Sequence, residues 1–156
     1  MNYTQSTKDK LLYTTRELFD SYLYGKKYAI PPYQRGYKWE PKDIERLLQD
    51  INDFIPNDEL DLFYCLQNIT LVENGEAYNV VDGQQRLTTI MLLLRAFHVS
   101  FGNMQDENSK RTREMIESCV WKTDEFGYAN KDLLKIDSEV ATDNDKDEFL
   151  SILNTG

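Results

Sequence analysis

Hydrophobic positions along the 156-residue chain change period several times, and each change predicts an element. Residues 8–24 place Leu11, Leu12, Leu18, Phe19, Tyr22 and Leu23 at roughly helical spacing, with Gly25 as a stop. Residues 27–30 read as a short strand, which Pro31-Pro32 ends because proline cannot donate to a ladder. Segment 33–39 is irregular, polar and aromatic. Pro41 then suits the first turn of a helix whose Ile44, Leu47, Leu48, Ile51, Phe54 and Ile55 make one apolar face, closed by Pro56-Asn57-Asp58. Residues 63–72 are rich in β-formers, and Cys65 among them reads as a core position. Asn74-Gly75 is a type I′ hairpin signal, and residues 77–81 form the return strand.

Directly after that strand comes Asp82-Gly83-Gln84-Gln85-Arg86, which opens a strongly apolar helix running to about Phe101 and ending near Gly102. Residues 103–110 are a polar link. A helix over 109–122 turns Met115, Ile116, Cys119 and Val120 inward, and residues 133–136 read as a strand. A last short helix over 143–153 carries Phe149, Leu150 and Leu153. The mixture predicts an α+β fold, with a first domain over 1–102 and a helical extension over 103–156. The chain stops soon after this helix without an evident closing element, as a piece of a longer protein would.

Composition narrows the function classes. The longest apolar run, Ile90 to Leu94, is far short of the ~20 residues a membrane span needs, and the N-terminus lacks the pattern of a secretory leader. Two distant cysteines, Cys65 and Cys119, give neither a zinc knot nor a disulfide scaffold, so a reduced cytoplasmic setting is expected. The net charge is −9, which makes the chain as a whole a poor non-specific DNA binder. The first hundred residues hold 11 basic and 14 acidic side chains, which leaves room for a local basic patch.

The strand-to-helix junction at Asp82 to Arg86 carries the candidate chemistry. Helix N-termini expose unpaired N–H groups with partial positive charge, and both attract anions. Gly83 permits close approach of a ligand, Gln84 and Gln85 add donors and acceptors, and Arg86 adds a fork suited to phosphate. Asp82 would repel a bare anion, but could hold a divalent metal that bridges to phosphates. Asp82 with Gln85 three residues later also fits a capping box, so the residues alone leave cap and ligand site equally open. A second candidate is Gln34-Arg35, beside Tyr37 and Trp39, where a rigid loop could grip a phosphate and stack a base. A surface loop pinned to the core by its aromatics explains the same residues.

These two segments resemble a known family. Ile30-Pro31-Pro32-Tyr33-Gln34-Arg35-Gly36-Tyr37-Lys38-Trp39 is similar to its "IPxYQRxYxW" opening, Asp50-Ile51 to its next landmark, and Tyr78-Asn79-Val80-Val81 through Asp82-Gly83-Gln84-Gln85-Arg86-Leu87-Thr88-Thr89 to its "DGQQRLTT" signature. The family is the N-terminal domain of GmrSD-type, modification-dependent restriction systems. The resemblance implies a ParB/sulfiredoxin-like fold, a small mixed sheet with packed helices, whose strand-to-helix turn holds a nucleotide phosphate. It implies binding and hydrolysis of a nucleoside triphosphate with Mg2+ or another divalent cation. It further implies modified DNA and a C-terminal His-Asn-His-type nuclease domain or subunit as partners of the full-length protein.

By matching position, Gln34, Arg35, Asp82, Gly83, Gln84, Gln85, Arg86 and Thr88 are the site residues. Asp82, Arg86 and Arg35 would be catalytic, with Asp82 placing the metal or attacking water. Gln34, Gly83, Gln84, Gln85 and Thr88 would contact the nucleotide. The chain departs from the pattern at Cys65-Leu66-Gln67, where members often carry Phe-Leu-Gly, which puts a close backbone approach there in doubt. The single histidine, His98, lies in the apolar helix without nuclease context and reads as a packed helix residue. Three functions follow in order: a nucleoside triphosphatase, a non-catalytic nucleotide or DNA-phosphate sensor, and an autonomous nuclease. The charge and the missing nuclease residues weigh against the last.

Overall fold

The computed structural model describes residues 26–55, 64–140 and 146–156. The helix expected over 8–24 lies outside them. The chain order is β1 (Lys27–Ile30), α1 (Pro41–Asp53), β2 (Thr70–Asn74), β3 (Ala77–Asp82), α2 (Gln84–Ser100), α3 (Glu107–Val120), β4 (Trp121–Thr123), β5 (Ala129–Leu134), β6 (Ile136–Ser138) and α4 (Lys146–Thr155). The fold is α+β with a small mixed sheet, as the sequence pattern predicts.

The main sheet has the order β2-β3-β1-β6, and β4-β5 form a separate hairpin. Strand β1 runs parallel to both neighbours, with Tyr28 opposite Tyr78 on β3 and Ile136 on β6. Three carboxyl ends therefore emerge at one edge: Ile30, Asp82 and Ser138. Parallel strands place ligands at that edge in many α/β sheets. Side chains alternate across a strand, so Tyr28 with Ile30, and Ile136 with Ser138, share a sheet face. That face is the core face. Tyr28, Val80 and Ile136 pack there against Leu87, Ile90 and Met91 of α2 and Leu153 of α4. Helix α2 is buried on several sides, as its nearly continuous apolar sequence requires.

Several expectations need correction. The strand predicted over 63–72 forms only from Thr70, and Tyr64 to Ile69 is irregular because Gln67 takes a left-handed φ of 69° that no strand accommodates. Cys65, in that stretch, is exposed, whereas Cys119 is buried. The β2–β3 loop is Gly75-Glu76, one residue later than Asn74-Gly75, with Asn74 paired to Ala77. Helix α3 starts earlier than predicted because Asp106 caps it, accepting from the Ser109 N–H at 2.9 Å, and Met115 on it is exposed. The strand read at 133–136 is divided between β5 and β6. On α1 only Leu47 is buried, while Leu48, Ile51 and Ile55 of its apolar face are exposed.

Candidate functional site

Gly83 stands between β3 and α2 in the left-handed region, φ 87°, and is the helix N-cap. A Cβ there would lie 3.0 Å from Ile69 Cγ1 and 3.2 Å from the Asn68 carbonyl. Glycine is thus required both by its dihedral and by a close chain crossing. Gln67, at the family's glycine position, takes a glycine-like φ, and the close approach is made without a glycine there. The capping box between Asp82 and Gln85 does not form. No side chain caps α2, and Asp82 is exposed.

Gln85 instead reaches the 33–39 loop. Its Nε2 donates to the Gly36 carbonyl at 3.0 Å, and its Oε1 accepts from the Lys38 N–H at 2.5 Å. Gln34 answers from the loop, donating from Nε2 to the Val81 carbonyl at 2.9 Å. A third link runs from the Tyr37 hydroxyl to Thr89 Oγ1 at 2.8 Å, and Thr89 Oγ1 donates onward to the Gln85 carbonyl at 2.8 Å. The two sequence motifs are therefore one structural unit. Two glutamines expected to touch ligand have their amides engaged in joining them.

The expected site residues divide between two concavities. The first, about 230 Å3, opens at the carboxyl edge of β1 and β6 and is lined by Arg35, Tyr37, Gln84, Gln85, Thr88 and Ser138, with α4 forming the opposite wall. The second, about 240 Å3, lies between α1 and the 64–67 segment, with Trp39, Arg46 and Asp50 on its lining, and it contains Arg86. Arg86 does not share a concavity with Arg35. Its guanidinium donates to the Asn68 carbonyl at 3.1 Å and to Gln67 Oε1 at 2.8 Å, bracing the segment that crosses Gly83. Asp82 lines neither space.

Sequence reasoning missed Ser138 and the α4 wall. Ser138 sits on a three-residue strand whose place depends on pairing with β1, a contact that leaves no local signal. Its Oγ is buried and has no hydrogen-bond partner among the described residues. The residues that could hold a metal are few. Among the described residues no three Asp, Glu, His or Cys side chains converge. The described residues thus offer no ready-made protein cage for a metal.

His98 lies at the far end of α2. Arg95 Nη1 donates to His98 Nδ1 at 2.7 Å, and an arginine can only donate, so the ring proton sits on Nε2 and is given to Glu117 at 2.9 Å. The histidine is a packing and hydrogen-bonding residue, as the sequence reading expects. Among the described residues, no helix is long and apolar enough to cross a membrane.

A search of curated proteins finds no match. The family model described as "GmrSD restriction endonuclease, N-terminal domain" matches residues 15–155, nearly the whole chain, and the chain belongs to that family.

Proposed function

We propose that this domain binds a nucleoside triphosphate together with its Mg2+ and hydrolyses it, as the regulatory part of a modification-dependent restriction protein acting against phage in the cytoplasm. DNA recognition and cutting belong to the full-length system, with cutting in a C-terminal nuclease domain or subunit. One observation carries the reading. The cavity at the carboxyl edge of the parallel strands combines Arg35, the first turn of α2 and a buried hydroxyl, Ser138 Oγ, without a partner among the described residues. Arg35 is assigned the phosphate contact and offsets charge that develops during transfer. The N–H groups after Gly83 can donate to phosphate oxygens. Gln34 and Gln85 position the loop that carries Arg35, and Arg86 braces the segment over Gly83. Asp82, exposed at the end of β3, would place a water or join the Mg2+ that the nucleotide brings; Gln84 cannot serve as a base.

The exposed, solitary position of Asp82 favours a second reading, nucleotide binding without hydrolysis, in which the domain is a sensor. Phosphate release separates the two. The first predicts turnover that Asp82→Ala abolishes while nucleotide affinity persists. Binding with no release by the wild type leaves the sensor. Equal turnover by wild type and Asp82→Ala ends the catalytic assignment.

A further inference from the structure

Ser138 is 6% exposed, and its Oγ is buried without a hydrogen-bond partner among the described residues. Buried hydroxyls nearly always have one, so this group asks for an explanation. Gln84 and Thr88 are 8% and 6% exposed, line the same cavity, and also make no side-chain hydrogen bond among the described residues. Two elements, the end of β6 and the first two turns of α2, therefore bring three polar side chains with uncommitted donors and acceptors to one space. We propose that these three side chains are the nucleoside-reading end of the cavity, with Ser138 as a binding residue for the uncharged part of the ligand. The proposal rests on the nucleotide reading above.

The rest of the lining decides which part of a nucleotide belongs here. Ile30, Leu92, Phe149 and Ile152 are apolar, and Tyr37 has its hydroxyl held by Thr89. Arg35 is the only cation and Glu148 the only anion, so the lining carries no net charge. Burying several phosphate charges against such a wall would be costly, whereas a flat heterocycle with its sugar suits it. At about 230 Å3 the space is smaller than the roughly 300–1,000 Å3 of sites that enclose a whole drug-sized ligand. It fits one portion of a nucleotide, with the phosphates leaving past Arg35 toward the α2 N-terminus. Ser138 can donate and accept at once, as can the Gln84 amide, which is the equipment for a base edge or a sugar hydroxyl. Helix α4 supplies Phe149 and Ile152 as the outer wall, so a bound nucleoside would touch the part of the chain that continues toward the C-terminus.

The test is calorimetric titration of the wild type, Ser138→Ala and Ile152→Trp with each of the four ribonucleoside triphosphates plus Mg2+, and with inorganic tripolyphosphate. Ser138→Ala is expected to weaken the best-bound nucleotide about tenfold, the worth of one good hydrogen bond. It should leave tripolyphosphate affinity unchanged and should not lower the melting temperature of the ligand-free protein, because the hydroxyl it removes has no partner to lose. Ile152→Trp, which fills the cavity from α4, should abolish nucleotide binding and spare tripolyphosphate. Wild-type nucleotide affinity in Ser138→Ala would overturn this proposal alone, and an equal loss for tripolyphosphate would do the same. A wild type that binds none of the four nucleotides would overturn the nucleotide reading beneath it.

Discussion

The two ends of α2 bury polar side chains in opposite ways. At the C-terminal end, Arg95 is buried, donates from Nε to the Leu153 carbonyl at 3.0 Å and from Nη1 to His98, and stacks over Trp121 at 5.1 Å. His98 donates a hydrogen bond from Nε2 to Glu117, which also pairs with Lys131 at 2.8 Å. Trp121 Nε1 is the one orphan there among the described residues, and its ring is held by Arg95, Lys131 and the edge of His98. At the N-terminal end, Gln84, Thr88 and Ser138 are similarly buried, but among the described residues none makes a side-chain hydrogen bond, and the Ser138 Oγ is a fully buried orphan. Burial alone does not mark a functional site. A satisfied network ties α2, α3, α4 and the β4–β5 hairpin together, whereas unsatisfied groups around a cavity mark where something else is expected to bind.

The comparison breaks most visibly at Arg95. Arg95→Ala removes two hydrogen bonds and the stacking on Trp121, and should cost about 3 kcal/mol in a denaturant titration. An intact Tm in that variant would show that the far-end network is ornamental. At the near end Gly83→Ala is the sharpest structural change. It puts a Cβ at φ 87° against Ile69 and the Asn68 carbonyl, and should cost roughly 2 kcal/mol and disturb the ligand site with it. Gln85→Ala frees the 33–39 loop by removing its two bonds to Gly36 and Lys38. It should destabilise by about 1–2 kcal/mol and raise amide exchange of Lys38, which loses its acceptor.

The smallest expected effect is in pH. Burial pushes the Glu117 carboxyl up, but hydrogen bonds from Lys131 and His98 and the charge of Lys131 outweigh it and hold the group below the usual carboxylate range. A carboxylate lowered in the folded state stabilises it above the unfolded value, and that contribution disappears as pH falls through the folded one. Asp106, held down by its Ser109 hydrogen bonds, acts in the same direction. Stability should therefore decline on acidification below the ordinary carboxylate range. Glu117→Gln should make that decline shallower, as read from melting temperature against pH. An unchanged slope would remove Glu117 from the account.

The sequence was most informative where interactions are local. Pro31-Pro32 ends β1, Pro41 begins α1, and Gly83 marks the cap of α2, because each acts through its own backbone. The two candidate motifs were readable as residues, yet their joining was not. Gln34 and Gln85 look like ligand contacts on paper, and only the fold shows each reaching the backbone of the other motif. Gln67 concealed a left-handed residue because it is not glycine. Ser138 was invisible because β6 has three residues and finds its place through β1, far back in the chain. The Ser138 side of the cavity is thus set by long-range pairing, which periodicity does not encode.

Arg35 is where the functional account can be tested most directly, since among the described residues it is the only cation on the cavity and makes no side-chain hydrogen bond or ion pair. Calorimetry of the wild type and Arg35→Ala with ribonucleoside triphosphates and Mg2+ should show binding by the wild type. The variant should bind at least about tenfold more weakly, with its ligand-free melting temperature unchanged. Equal affinities in the two proteins, or no binding of any nucleotide by the wild type, would contradict the assignment of the sheet-edge cavity as a nucleotide site.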